Sequence, residues 1–157
     1  MELRAISDAV SIVAGRRVRY TPAMRHQRAE LPLKLDGLAK AQAFFEGCLA
    51  DSDSARESLW VAHVDEQARC LHLSRHDGDE TGAVFPLRDI LADAVAHGSA
   101  GIVLAHNHPS GDSTPSEADC RATRRLATAA EAIDCAVLDH LVFGGKDCSS
   151  LRRLGYL

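Results

Sequence analysis

The sequence has no pair of cysteines at the Cys-x-x-Cys spacing, and its number of cysteines is odd. The five cysteines are scattered along the chain at Cys48, Cys70, Cys120, Cys135 and Cys148. A disulfide framework needs an even set, and a cysteine zinc knuckle needs closely spaced pairs of thiolates. We therefore expect reduced thiols, as in the cytoplasm, and no zinc knuckle built from cysteines.

Long apolar runs are missing as well. No segment approaches the ~20 consecutive apolar residues that a membrane span requires. Residues 1–20 carry several charged side chains in place of the apolar stretch of a signal peptide. These absences predict a cytoplasmic protein that has no membrane partner.

An excess of positive charge is absent, and aromatic side chains are scarce. The formal net charge is −4, and the chain contains one Trp and two Tyr. Nucleic-acid binders neutralise phosphates with basic side chains, and single-strand binders also stack bases on aromatic rings. We therefore expect nucleic-acid binding to be weak and sequence-independent, or not to occur.

Residues 1–35 form an N-terminal arm that has no clear periodicity. Seven Lys and Arg side chains stand against three Asp and Glu in the arm, so it is locally basic. The apolar residues of 3–14 predict a short helix, and those of 16–20 a short strand. The arm is either a solvated extension or a surface for a partner. Any weak contact with DNA would involve its arginines Arg16, Arg17, Arg19, Arg25 and Arg28.

Helical and strand patterns alternate from residue 36 onward. Helical spacing of apolar residues occurs over 36–50, after Pro86 and after Pro115, and strand-like apolar runs occupy 58–64, 69–76, 101–105 and 136–143. The expected apolar faces are Leu87, Ile90, Leu91, Ala94 and Val95 in the second helix, and Ala118, Ala122, Leu126, Ala129 and Ile133 in the third. Gly98 is expected to end the second helix. The alternation predicts one α/β (α+β) domain over 36–157, a mixed sheet flanked by helices.

The segment LAHNHPSGDSTPSEAD concentrates polar residues directly after a predicted strand. On an extended chain, His106 and His108 point to the same side. Asp119 lies three residues after Ser116, in the first turn of a predicted helix, where the helix dipole favours an ionised carboxylate. Two imidazoles and one carboxylate suit zinc and leave a fourth position for water, as in catalytic zinc sites.

Each part of this segment also has an ordinary structural explanation. A His-x-His pair occurs by chance on strands, and Ser-x-x-Asp is similar to a capping box at a helix start. The Pro-Ser-Gly-Asp stretch is common in turns. Only the combination of all three favours a functional site.

That combination resembles the JAMM motif of JAB/MPN-type metalloproteases, in which His-x-His is followed by seven residues, a serine, two residues and an aspartate. HNHPSGDSTPSEAD, with Asn between the histidines, resembles the RadC branch. RESLWVAHVD is similar to the strand that carries the family's glutamate, and VLDHLVFG and SLRRLGYL are similar to its C-terminal end. The resemblance covers residues 36–157. Residues 1–35 do not resemble the helix-hairpin-helix region common in full-length RadC proteins, so we expect that DNA-binding element to be absent.

The resemblance implies one zinc ion per chain. Its protein ligands would be His106, His108 and Asp119, with water as the fourth. Glu57 would be the acid/base, and the Ser116 hydroxyl would help to hold a tetrahedral intermediate.

The roles of four other polar residues remain open. Glu66 and Glu80 are also upstream carboxylates, although both lie in turn-like sequence. Asp139 and His140 are either ordinary strand residues or groups that orient the ligands, because metal-binding histidines usually need an outer partner.

The implied function is a zinc-dependent hydrolase that cleaves an amide, peptide or isopeptide bond in an unidentified peptide or protein substrate. A nucleobase deaminase is disfavoured because its His-x-Glu and Pro-Cys-x-x-Cys motifs are missing. The other alternative is a non-catalytic RadC-like binding module associated with DNA repair or mobile-element functions.

Overall fold

The structure is a computed structural model that describes residues 11–13, 16–18, 33–78 and 85–157. It contains a two-stranded ribbon and a five-stranded mixed sheet that is flanked by three helices. The predicted α/β class is thereby confirmed. No helix of the described residues is both long and apolar enough to cross a membrane.

The ribbon lies in the N-terminal arm. Strand β1 (Ser11–Val13) pairs antiparallel with β2 (Arg16–Val18). The strand predicted within 16–20 is confirmed. The short helix predicted over 3–14 is wrong at β1, where the β-branched Ile12 and Val13 favour an extended backbone. Arg19, Arg25 and Arg28 lie outside the described residues.

The central sheet has the strand order β4-β3-β5-β6-β7. Its strands are β3 (Ser58–Val64), β4 (Cys70–Asp77), β5 (Gly101–Asn107), β6 (Ala136–Gly144) and β7 (Asp147–Ser150). β5 and β6 are parallel, whereas the other neighbouring pairs are antiparallel. The four predicted strands are confirmed, and β7 is a further strand that the apolar pattern did not indicate.

Helices cover both faces of this sheet. They are α1 (Leu38–Ala50), α2 (Leu87–His97) and α3 (Glu117–Glu131). On one face, Phe45 of α1 packs in a cluster with Trp60 of β3. On the other face, Leu126 of α3 packs in a cluster with Val61. Because successive strand residues point to opposite faces, neighbours in β3 belong to different halves of the core.

The ends of α2 agree with the prediction, but its buried face is narrower. The helix begins after Pro86 and ends at Gly98, which has a left-handed φ of 61°. Ile90 and Ala94 are buried, whereas Val95 is 66% exposed. The predicted apolar face is therefore wrong at Val95, because α2 buries only the stripe that contacts the sheet.

The buried face of α3 also differs from the predicted one. Its buried residues are Cys120, Thr123, Leu126 and Ala130. Of the predicted face, Leu126 is buried, but Ala118 is exposed and Ile133 lies beyond the helix end with 38% exposure. An apolar pattern cannot include Thr123, whose buried hydroxyl forms hydrogen bonds.

Gly144, at the end of β6, is expected to tolerate no side chain. A Cβ there would clash with the backbone of Asp112 and Ser113, in the loop that follows β5. Gly144→Ala should lower the free energy of unfolding by about 3 kcal/mol, because the close-packed backbone must shift. Chemical denaturation measures the loss.

Gly98→Ala is the matched control for this substitution. A Cβ at Gly98 meets nothing within 4 Å, so only its left-handed backbone conformation adds a cost of about 1 kcal/mol. Equal losses in the two variants would contradict the steric explanation at Gly144.

Candidate metal centre

The two histidines of the His-x-His pair converge at the carboxyl end of β5. His106 is within the strand and buried, and His108 follows it with partial exposure. Their Nε2 atoms are 3.0 Å apart. The extended chain thus brings both rings to the same side of the sheet edge.

Asp119 approaches both rings from the first turn of α3. Its Oδ1 is 3.4 Å from Nε2 of His106, and its Oδ2 is 3.3 Å from Nε2 of His108. Its Oδ2 also accepts a hydrogen bond from the backbone N–H of Ser116, whose hydroxyl accepts one from the N–H of Asp119. The capping box and the histidine cluster therefore share one carboxylate.

The environment of Asp119 favours its ionised form. Burial raises the pKa of this carboxyl group, but the His106 ring, which stabilises the carboxylate when it carries a proton on Nε2, and the hydrogen bonds with Ser116 lower it by more. The net result is a pKa well below the usual range for aspartate. Asp119 is consequently a carboxylate at neutral pH.

A chain of buried hydrogen bonds determines which nitrogen of His106 carries the proton. The Thr123 hydroxyl donates to the carbonyl oxygen of Asp119 at 2.6 Å, so it accepts from Nδ1–H of His140 at 2.7 Å. Burial, followed by the charge of His106, lowers the pKa of His140 well below its normal value, and its neutral ring has one proton. Nε2 of His140 therefore accepts from Nδ1–H of His106 at 2.7 Å. The Nε2 atom of neutral His106 then carries a lone pair.

In His108, too, the Nδ1 atom is the one that carries the proton, but here its hydrogen-bond acceptor is a backbone carbonyl. Its Nδ1 is 2.8 Å from the carbonyl oxygen of Asp112, which can only accept a hydrogen bond. In the neutral ring, Nε2 of His108 then carries a lone pair as well. With both rings neutral, two lone pairs and a carboxylate face one another, an arrangement that is repulsive unless a cation lies between them.

The donor set fits a divalent metal ion. One ligand atom from each of His106, His108 and Asp119 lies within 4.8 Å of the other two. Two imidazoles and a carboxylate are ligands that zinc accepts, and the outer partners His140 and Asp112 orient the rings as metal ligands require. The structure therefore brings together all three residues of the predicted ligand set.

Glu57 lies beside this cluster without belonging to it. Its Oε1 is 3.9 Å from Nε2 of His106, and its side chain is 46% exposed. Asn107 holds the backbone on both sides of Glu57: its Oδ1 accepts from the N–H of Ser58, and its Nδ2 donates to the carbonyl oxygen of Arg56, both at 2.8 Å. The amide of Asn107 therefore fixes the position of Glu57 at the entrance to the cluster.

The alternative upstream carboxylates are placed differently. Glu66 is exposed in the turn that follows β3, whereas Glu57 precedes that strand. The two residues are separated by seven strand residues, which corresponds to about 25 Å of extended chain. Glu80 lies outside the described residues. Of the described carboxylates upstream of His106, Glu57 is the one beside the cluster.

Ser116 and Asp139 have distinct environments. The Ser116 hydroxyl is exposed and accepts from the N–H of Asp119, which leaves its own proton for an outside acceptor. Asp139 accepts from the hydroxyl of Ser150 at 2.6 Å and from the N–H of Arg152, so it supports the C-terminal turn. Of the Asp139–His140 pair, His140 is the residue that contacts a candidate ligand.

Sequence reasoning missed the roles of Asn107 and Thr123. Asn107 was visible only as the residue between the histidines, and its contacts depend on the antiparallel pairing of β3 with β5. Thr123 lies four residues after Asp119, the spacing at which a hydroxyl reaches a helix carbonyl. That spacing was the available signal.

The structure thus combines a mixed sheet between helices with paired histidines at a strand end, opposite an acidic helix start. The family model described as a RadC-like JAB domain matches residues 36–156. The chain belongs to this family.

Curated relatives agree with that assignment. A UPF0758 protein of Cellvibrio japonicus is 44% identical over 105 residues, which cover 66% of this chain and 46% of that protein. A UPF0758 protein of Aliivibrio fischeri is 37% identical over 107 residues, which cover 67% and 47%. One from Cupriavidus pinatubonensis is 36% identical over 137 residues, which cover 85% and 58%. The chain spans about half the length of the curated relatives that it matches.

Proposed function

We propose that this domain is a zinc-dependent hydrolase that cleaves an amide, peptide or isopeptide bond. The observation that carries the proposal is the convergence of the Nε2 atoms of His106 and His108, 3.0 Å apart and flanked by the Asp119 carboxylate. The candidate ligands converge at the edge of the sheet, and two of them, His108 and Asp119, are partly exposed. A catalytic site needs such an opening for its substrate.

The chemistry that zinc supplies when bound is Lewis acidity, which lowers the pKa of a coordinated water toward ~7. Glu57 is positioned to act as the acid/base of this site. Its carboxylate is at the cluster, half exposed, and makes no capping bond of the kind that occupies Asp119. It would accept a proton from water and return it to the leaving nitrogen of the substrate.

Ser116 and the hydrogen-bond chain would complete the machinery. The Ser116 hydroxyl can donate its proton to the oxygen on which negative charge develops during attack on a carbonyl. His140 and Thr123 keep His106 in the ligand tautomer through two bonds of 2.7 Å. Asn107 would keep Glu57 aimed at the same point.

Metal content tests the ligand set directly. His106→Ala and Asp119→Ala should each lower the zinc bound per chain by about one ion relative to the wild type, because each leaves two protein ligands. Inductively coupled plasma mass spectrometry of protein purified without chelator, before and after zinc loading, measures the difference.

Glu66→Gln serves as a control that changes a carboxylate away from the cluster and should leave the zinc content unchanged. A wild-type protein that takes up no zinc, or His106→Ala and Asp119→Ala variants that retain all of it, would refute the proposed function.

A further inference from the structure

A second group of histidines lies on the same face of the sheet as the candidate centre. Of the eight histidines in the chain, four are placed here: His63 on β3, His72 and His76 on β4, and His97 on α2. His63 and His72 are directly paired across the two strands, so their side chains share a face. Val61, two residues before His63 and on the same face of β3, belongs to one core cluster with Ile90 of α2, so this face of the sheet is the one that α2 covers.

This group is separate from the candidate centre. His106 pairs with Leu59 at one end of β3, whereas His63 pairs with Ile102 toward the other end. Three residues of β3 lie between Leu59 and His63, which places the two positions about 13 Å apart. His72, which pairs with His63, therefore cannot share an ion with His106.

Helix α2 presents complementary ligands to β4. Asp89, Asp93 and His97 follow one another at intervals of four residues, so they form one stripe of the helix. Oδ2 of Asp93 is 3.5 Å from Nε2 of His72, and the rings of His72 and His97 stack with their centroids 4.1 Å apart. One ligand atom from each of His72, Asp93 and His97 lies within 4.8 Å of the other two.

The three candidate ligands differ in how far they are buried. His72 is buried, Asp93 is partly buried and His97 is exposed at the end of the helix. The buried His72 ring is held in place between the Asp93 carboxylate and the His97 ring. The opening at His97 gives solvent and ions a route to the cluster.

His63 provides a second, independent sign of a polar ligand. It is fully buried, and neither of its ring nitrogens has a hydrogen-bond partner among the described residues. Its ring centroid is 5.6 Å from that of His72. Buried polar groups without a protein partner commonly mark the place of a water or an ion.

We propose that His72, Asp93 and His97 form a second metal site, one that binds Zn²⁺ between the edge strand β4 and helix α2. Two imidazoles and one carboxylate suit a cation of borderline softness, and the open side beside His97 leaves room for water as the remaining ligand. The site would add a metal-mediated link to the direct contacts between β4 and α2. Its function is to fasten α2 to the sheet edge.

The test counts zinc ions in full-length variants of the two sites. Equilibrium dialysis against buffered zinc, followed by metal analysis, should give about two ions per chain for the wild type and about one for His97→Ala, Asp93→Asn or His108→Ala. The double variant His97→Ala/His108→Ala should bind none. His97 is exposed, so its substitution leaves the packing of the core unchanged, and circular dichroism verifies the fold.

His76→Ala is the matched control within the same group, because Nε2 of His76 interacts with the hydroxyl of Ser74 and His76 is outside the set of three converging ligands. It should retain both ions. A His108→Ala protein that binds no zinc, or a His97→Ala protein that binds as much as the wild type, would overturn the second site. Loss of an ion from His76→Ala would show that the ligand set is wrong.

Discussion

Replacement of Glu57 by glutamine is expected to lower hydrolysis by ~10²-fold or more while the zinc content stays unchanged. Glutamine keeps the shape of the side chain but cannot take a proton from water. Glu57 is 3.9 Å from His106 and is not one of the three converging ligands, so its charge is not needed to hold the metal. The rate is measured by mass spectrometry of new amino termini released from a peptide library, with wild-type and variant proteins at equal zinc occupancy.

Glu66→Gln is the matched control, because it makes the same chemical change in an exposed turn at the far end of β3. It should cleave at the wild-type rate. A Glu57→Gln variant that cleaves normally would contradict the acid/base role, and one that loses its zinc would make Glu57 a ligand or a structural residue. The inactive variant that keeps its metal would also serve to trap the substrate.

Removal of zinc from the His106 cluster is expected to lower the free energy of unfolding by about 4 kcal/mol when free zinc exceeds the dissociation constant about 1,000-fold. For a domain of this size the unfolding midpoint should fall by on the order of 10 °C. The His97→Ala background isolates this cluster from the second site. Thermal melts with and without chelator measure the shift.

Two ligand substitutions distinguish the contribution of the metal to stability from the contribution of the capping box at the start of α3. His108→Ala should abolish the zinc-dependent shift and leave the chelated protein nearly as stable as its parent. Asp119→Ala should abolish the shift and also lower the stability of the chelated protein by about 1 kcal/mol, because α3 loses its capping box. Equal stability of the two chelated variants would argue against the dual role of Asp119.

The parts of the fold that could be predicted from the sequence were those with local signals. The apolar run 58–64 has the bounds of β3, and Pro86 and Gly98 bracket α2. The face of α3 could not be predicted, since Thr123 is buried through hydrogen bonds that an apolar period does not record.

The candidate site also has a part that could be predicted from the sequence and a part that could not. His106, His108 and Asp119 are close in the sequence, so strand and helix periodicity suffice to bring them together. The contact of His106 with His140 depends on the parallel pairing of β5 with β6, and the cluster at His72 depends on the pairing of β3 with β4 and on the packing of α2. Such long-range pairings leave no mark in a local pattern of residues.

The shared carboxylate of Asp119 has a consequence for the divergence of this family. A descendant that no longer used its metal would still be selected to keep Asp119, because α3 begins with the capping box, and His106, because its buried ring bonds to His140. His108 is partly exposed and its Nδ1 bonds to one loop carbonyl, so relaxed selection would change it first. Under the proposed function, position 108, more than position 119, is therefore expected to separate descendants that keep a metal at this cluster from those that only preserve the fold.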